Sequence, residues 1–160
     1  MSGRGRPSHP EDFHHLLFLL EQGGISYLII GGDAYSLHAE PRYTKNLDIW
    51  LDPTAANTKR ANQALAEFCS PNALDHTAKN EILQIGIAPN RIDLLLDVPG
   101  VDFNETWADR VRAPYGDLEV NWMGLDSLVK SKASTGRRRD DADVATLEKI
   151  RQRRPGGPLP

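Results

Sequence analysis

The chain has 160 residues, a formal charge of -3 and a hydrophobic share of 39%. That length suits one compact domain rather than two, and the apolar share is enough to build a core, which excludes a disordered chain. The near-neutral charge argues against a dedicated, strongly basic nucleic-acid binder but not against a local basic patch.

Cys69 is the only cysteine, so an internal disulfide framework is excluded and a reducing cytoplasm is the expected setting. The apolar run Leu16 to Leu20 is too short to cross a bilayer and follows acidic and histidine residues rather than a basic segment. Neither a membrane span nor a signal peptide is expected.

In chain order, residues 1–9 read as a disordered tail, 10–152 as the folded domain and 153–160 as a second disordered tail. Phe13, Leu16, Leu17 and Leu20 recur at helical spacing between Pro10 and Gln22. Ile25 to Ile30, bounded by glycines, predicts a buried strand, and Asp33 to Glu40 a short helix stopped before Pro41. Leu47 to Leu51 alternates as a strand. Asp52 and Pro53 predict the cap and first position of a helix running to about Phe68.

Ile82 to Ile87 and Ile92 to Leu96 predict an antiparallel pair joined by Ala88-Pro89-Asn90. Asp102 to Asp109 reads as helical, Val111 to Tyr115 and Leu118 to Trp122 as a hairpin, and Leu125 to Ala133 and Asp140 to Arg151 as two helices. The expected fold is α/β (α+β): a mixed β-sheet with flanking helices, not an all-parallel one.

The stretch that points to chemistry is Ile30-Gly31-Gly32, then thirteen residues, then Asn46-Leu47-Asp48-Ile49. A strand ending in Gly-Gly before a helix lets backbone approach a phosphate, whose charge then meets helix N-terminal N–H groups. Positions 46 and 48 share one face of a strand. Asp48 and a second acid from a neighbouring strand, Asp93, are candidates for holding a hard divalent cation through oxygen.

These residues resemble the nucleotidyltransferase superfamily that includes DNA polymerase beta, whose signature is an apolar residue and Gly-Gly or Gly-Ser, a spacer, acid-apolar-acid, and a third acid on a later strand. The run GGDAYSLHAEPRYTKNLDIWLDPT is similar to small bacterial nucleotidyltransferases related to abortive-infection and toxin–antitoxin systems. So are NRIDLLLDVPGVDFNETWADRV and LDSLVKSKASTGRRRDDADVATLE. The likeness spans roughly residues 25–150.

It implies transfer of a nucleoside monophosphate from an NTP to a hydroxyl acceptor on protein, RNA or a small molecule. Mg²⁺ or Mn²⁺ would sit on Asp48 and Asp93, with Asp93 helping to activate the acceptor. Lys132, and second to it Lys130, would contact phosphate. A toxin or antitoxin partner protein, or an RNA acceptor, is implied in the same way; no membrane partner is.

The departure from the signature is Asn46, where the first acid of the pair belongs. An amide offers a cation one carbonyl oxygen but no charge. The site is then a weaker or single-metal variant, a binding domain without catalysis, or an engineered inactivation. The rival functions are a non-catalytic nucleotide-, RNA- or partner-binding module and an antibiotic nucleotidyltransferase.

Duller roles compete for individual residues. Asp33 reads as a helix N-cap, His38 as a packed, hydrogen-bonded histidine, and Asp97 as a turn acid. Arg42, Thr44 and Lys45 face either the phosphates or solvent. Arg137-Arg138-Arg139 is either a phosphate grip or a solvated loop before a helix whose N-terminus Asp140, Asp141 and Asp143 complement. Trp50, Trp107 and Trp122 are expected in the core. Cys69, with no nearby base, is not expected to act as a nucleophile.

Overall fold

A computed structural model describes residues 11–44, 46–87 and 89–154. Most of the two expected tails, and Lys45, lie outside the described residues.

The elements in order are α1 (Glu11–Gln22), β1 (Tyr27–Ile30), α2 (Gly31–His38), β2 (Asn46–Leu51), α3 (Ala55–Glu67), β3 (Leu83–Ile85), β4 (Arg91–Leu95), α4 (Phe103–Ala108), β5 (Val111–Tyr115), β6 (Leu118–Trp122), α5 (Leu125–Ala133) and α6 (Arg138–Gln152). The strands form one six-stranded sheet in the order β3-β4-β2-β1-β6-β5. β1 is antiparallel to β2 and parallel to β6, and β2 is parallel to β4. The β3–β4 and β5–β6 pairs are antiparallel hairpins, and the sheet is mixed, as expected.

Alternation along the central strands sorts the core into two layers. Tyr27, Ile29, Leu47, Ile49, Leu51, Ile92 and Leu94 face α1 and α3. Leu28, Ile30 and Trp50 face α2, α4, α5 and α6. Leu16, Leu17, Leu47 and Ile49 are fully buried, and each such side chain contributes about 1.5–3 kcal/mol. Trp50 and Trp122 are buried as expected, whereas Trp107 is half-buried, stacked between Phe103 and the guanidinium of Arg110.

Two expected caps are corrected. α2 starts at Gly31, with Ile30 at the cap position, so Asp33 lies inside the first turn and caps nothing. The glycines themselves turn the chain into the helix, Gly31 taking φ +70. α3 is capped by Thr54, whose hydroxyl accepts from the Asn57 N–H, while the Asp52 carboxylate accepts from the Thr54 N–H. α2 also stops at His38 rather than Glu40. At the other end of the chain, Arg153 closes α6 and Arg154 lies 3.8 Å from Asp126.

A knot of charge fastens α6 to the loop ahead of β2. The Arg42 guanidinium donates to both Asp143 oxygens, at 2.9 and 2.7 Å, and lies 3.8 Å above the Tyr35 ring. Lys132 Nζ donates to Asp143 at 2.9 Å and to Asp140 at 3.2 Å. Asp140 also accepts from Thr135 at 2.7 Å and pairs with Arg137 at 2.9 Å. Both acids are buried, at 5% and 4% exposure, so they are tolerable only because every oxygen is paired. The Arg42 bond holds the Asp143 carboxyl well below the usual range, at about 2, and the Lys132 bond adds to it.

Removing one partner of such a knot leaves uncompensated buried charge. Asp143→Asn is expected to lower unfolding free energy by about 3–5 kcal/mol, against less than about 0.5 kcal/mol for exposed Arg138→Ala. Urea denaturation at pH 7 measures both. Because the folded carboxyl titrates lower than the unfolded one, this stabilisation is present above about pH 4 and is lost as pH falls toward 2.

Candidate functional site

The site is built on neighbouring ends of β1, β2 and β4. β2 and β4 run parallel with Asp48 opposite Asp93 and Asn46 opposite Arg91. Period-two alternation puts all four side chains on one face. Across β1 the partner of Asp48 is Ile30, the last strand residue before Gly31. The two acids predicted from sequence are therefore brought together, beside the Gly-Gly turn.

Both glycines are explained by what presses on them. A Cβ on Gly31 would lie 2.5 Å from Asp48 Oδ2, and one on Gly32 would collide with the Thr44 methyl. Gly31 also needs its positive φ. The turn is thus shaped around the protein's own Asp48 and Thr44 as well as around any ligand.

The acids are crowded. Asp93 is 7% exposed and Asp48 half-buried. Burial first, then the adjacent Asp93 carboxylate, push the Asp48 carboxyl up to about 7, opposed by a hydrogen bond from Asn46. The Asn46 amide nitrogen donates to Asp48 Oδ1 and, at 3.0 Å, to Asp93 Oδ2. It stands between facing oxygens of the two acids. Arg91 donates from Nε to Asp93 Oδ1 at 3.0 Å and from its terminal nitrogen to Oδ2 at 3.2 Å. In the first turn of α2, burial pushes the Asp33 carboxyl up to about 6, and its Oδ2 is buried with no hydrogen-bond partner among the described residues.

Among the described residues, no group of three or more His, Cys, Asp or Glu side chains is arranged to hold a metal ion. The donor set that does converge is two carboxylates and one amide. Two adjacent acids, one resisting ionisation, fit a single hard divalent cation, with the Asn46 carbonyl oxygen as third donor once its amide turns over. They do not supply the charge for two.

Thr44 packs at Gly32, and the other candidates are engaged elsewhere or exposed. Arg42 and Lys132 are absorbed in the knot on Asp143 and Asp140, Lys132 with 13% of its side chain exposed. Lys130 is exposed and 3.7 Å from Glu105. His38 is packed as expected, its Nε2 donating to the Met123 carbonyl at 2.8 Å. Cys69 is exposed. Arg138 and Arg139 are exposed at the start of α6.

Sequence reasoning missed Arg91, and read Asp143 only as an acid complementing the helix N-terminus rather than as the partner of Arg42. Arg91 was findable, since it stands two residues before Asp93 on a strand and must share its face. Asp143 carried a weaker signal, one turn beyond Asp140 on the same helix face.

No helix among the described residues is long and apolar enough to cross a membrane. No family profile and no curated protein sequence matches the chain. Solved structures do. The lincosamide antibiotic adenylyltransferase LnuA, bound to lincomycin, superposes with a TM-score of 0.55 at 15% identity, covering 88% of this chain and 96% of that one. A proposed nucleotidyltransferase of Thermotoga maritima, TM1012, gives 0.58 at 13% identity, covering 86% and 91%. ANT(2")-Ia, in complex with adenylyl-2"-tobramycin, gives 0.51 at 10% identity, covering 86% and 89%. The chain therefore has the fold of the nucleotidyltransferase superfamily.

Proposed function

We propose that the chain binds a nucleoside triphosphate at the Gly31-Gly32 turn and transfers its nucleoside monophosphate to a hydroxyl acceptor. The observation that carries this reading is the Asp48–Asp93 pair, in register on parallel strands, with Asp48 pressed against Gly31. Asp48 and Asp93 would hold Mg²⁺ or Mn²⁺, with Asn46 contributing its amide oxygen. When bound, that cation would neutralise triphosphate charge and stabilise an in-line displacement.

The chain's own residues would do the rest. Gly31 and Gly32 leave backbone N–H groups at the start of α2 open to phosphate. Thr44, packed on Gly32, would line the same turn. Asp93, opposite Asp48 and held by Arg91, would help to activate the acceptor hydroxyl. Arg42 and Lys132 would meet phosphate only by sharing or exchanging their contacts with Asp140 and Asp143.

A second reading, a nucleotide- or RNA-binding module without catalysis, is favoured by one observation: the Asn46 nitrogen stands where a cation between the acids would sit. An antibiotic hydroxyl is one acceptor class, because LnuA and ANT(2")-Ia are solved with lincomycin and adenylyl-tobramycin. A toxin–antitoxin role rests on the sequence resemblance alone, and a cytoplasmic setting on the single cysteine.

Labelled NTPs with Mg²⁺ or Mn²⁺, followed for pyrophosphate release, test the first reading. Wild type is expected to turn over slowly and Asn46→Asp faster, by about 10-fold or more, the scale on which one electrostatic contact acts on a transition state. Asp48→Asn and Asp93→Asn are expected to be silent. NTP binding with silence in both wild type and Asn46→Asp supports the module; no NTP binding by calorimetry contradicts both readings.

The acid pair also predicts a pH-dependent stability. A carboxyl whose folded pKa is raised favours folding below the unfolded value near 4 and progressively loses that favour as pH rises through about 7. Relieving the repulsion with Asp48→Asn is expected to raise the metal-free Tm by about 3–6 °C at pH 8, and by much less at pH 5. Thermal melts across that range check it.

A further inference from the structure

Among the described residues, Arg91 is the cation hydrogen-bonded to the acid pair, and the reading above leaves its role unassigned. It sits directly across from Asn46 in the β2–β4 register, on the same face as both acids. Its guanidinium takes both oxygens of Asp93, Nε on Oδ1 at 3.0 Å and a terminal nitrogen on Oδ2 at 3.2 Å. Asp93 Oδ2 also accepts from Asn46, whose nitrogen bridges to Asp48 Oδ1. The Asp93 oxygen that faces Asp48 therefore already carries two donors.

A cation entering between the acids has to take over that oxygen. Turning the Asn46 amide over removes one donor and supplies an acceptor at little cost. The Arg91 contact is different. It is a forked, charge-assisted pair, and the guanidinium carries the same sign as the incoming ion. With 34% of its side chain exposed against 10% for Asp93, Arg91 has room to move while the acid does not.

We propose that Arg91 is the internal counter-ion of the acid pair: it competes with the divalent cation for Asp93 Oδ2 and so sets the cation affinity of the site. In this chain the competition is stronger than in a site with an acid at position 46, because a carboxylate there would be a second anion for the same guanidinium, directly across the strand pair. Arg91 thereby stabilises the metal-free site and makes cation binding depend on its release. This inference rests on the cation reading given above.

The test is direct binding of Mn²⁺ in the absence of nucleotide, by the electron paramagnetic resonance of free Mn²⁺, at low ionic strength. Wild type, Arg91→Met, Arg91→Lys, Asp93→Asn and Asn46→Asp are compared, with thermal melts reporting folding. Arg91→Met is expected to bind roughly 10-fold tighter than wild type, the scale of one hydrogen-bonded charge contact. Arg91→Lys, a point charge without the fork, is expected to fall between them. Asp93→Asn is expected to abolish binding.

Equal or weaker binding in Arg91→Met, with Mn²⁺ still bound by wild type, overturns the proposal and leaves the cation reading standing, Arg91 then merely orienting Asp93. If Arg91→Met does not fold, Arg91→Lys decides by the same comparison. If neither wild type, Arg91→Met nor Asn46→Asp binds Mn²⁺, the cation reading fails and the proposal with it.

Discussion

Two carboxylates held side by side at low exposure repel each other, and the geometry around Asp48 and Asp93 follows from how that repulsion is managed. Strand register brings them together: β2 and β4 run parallel with the two residues opposite. Nothing in the hydrophobic core asks for them, since the same face carries Trp50 two residues further along. Donors therefore crowd the pair, Asn46 between the acids and Arg91 on Asp93, while Asp48 keeps a raised affinity for a proton. The strain sits where a cation or a proton would relieve it, which is the usual signature of a site.

Around this pair the fold separates two electrostatic centres. The acids lie on the sheet beside Gly31. The cations Arg42, Lys132 and Arg137 are matched to buried Asp140 and Asp143, with Arg42 stacked on Tyr35 of α2. The link between them is the loop from Arg42 to Thr44, clamped by Asp143 at one end and resting on Gly32 at the other. α6 is distant in sequence from the acids, yet through Arg42 it fixes the wall of the turn. A functional defect from a change in α6 would then reflect positioning as much as contact with ligand.

The fold was largely legible in the sequence because its elements are short, strongly patterned and well punctuated. ISYLII is a short β-branched and aromatic run punctuated by glycines, LDIWL alternates, and RIDLL and the hairpin around Gly116-Asp117 are bounded by turn residues. What went astray was capping. Asp33 looks like a cap by residue type, but Gly31 can take a left-handed φ and starts the helix two residues earlier. The convergence of Asp48 with Asp93 followed from parity and a guess at strand pairing. The partner of Arg42 did not follow, because an ion pair across about a hundred residues leaves no local trace. Lys132 pairs nearer by in sequence, with Asp140 and Asp143 of the next helix, and the fold has paired both cations.

The likeness to solved nucleotidyltransferases establishes architecture, and at 10–15% identity it carries no acceptor with it. Chemistry has to be read at the acid pair itself. The most direct measurement is a crystal structure with Mn²⁺ and a non-hydrolysable NTP, read through the anomalous signal of manganese. The account predicts one peak in contact with carboxylate oxygens of both Asp48 and Asp93, with the triphosphate against Gly31 and Gly32. A triphosphate bound elsewhere, or manganese absent from between those acids at saturating concentration, would contradict it.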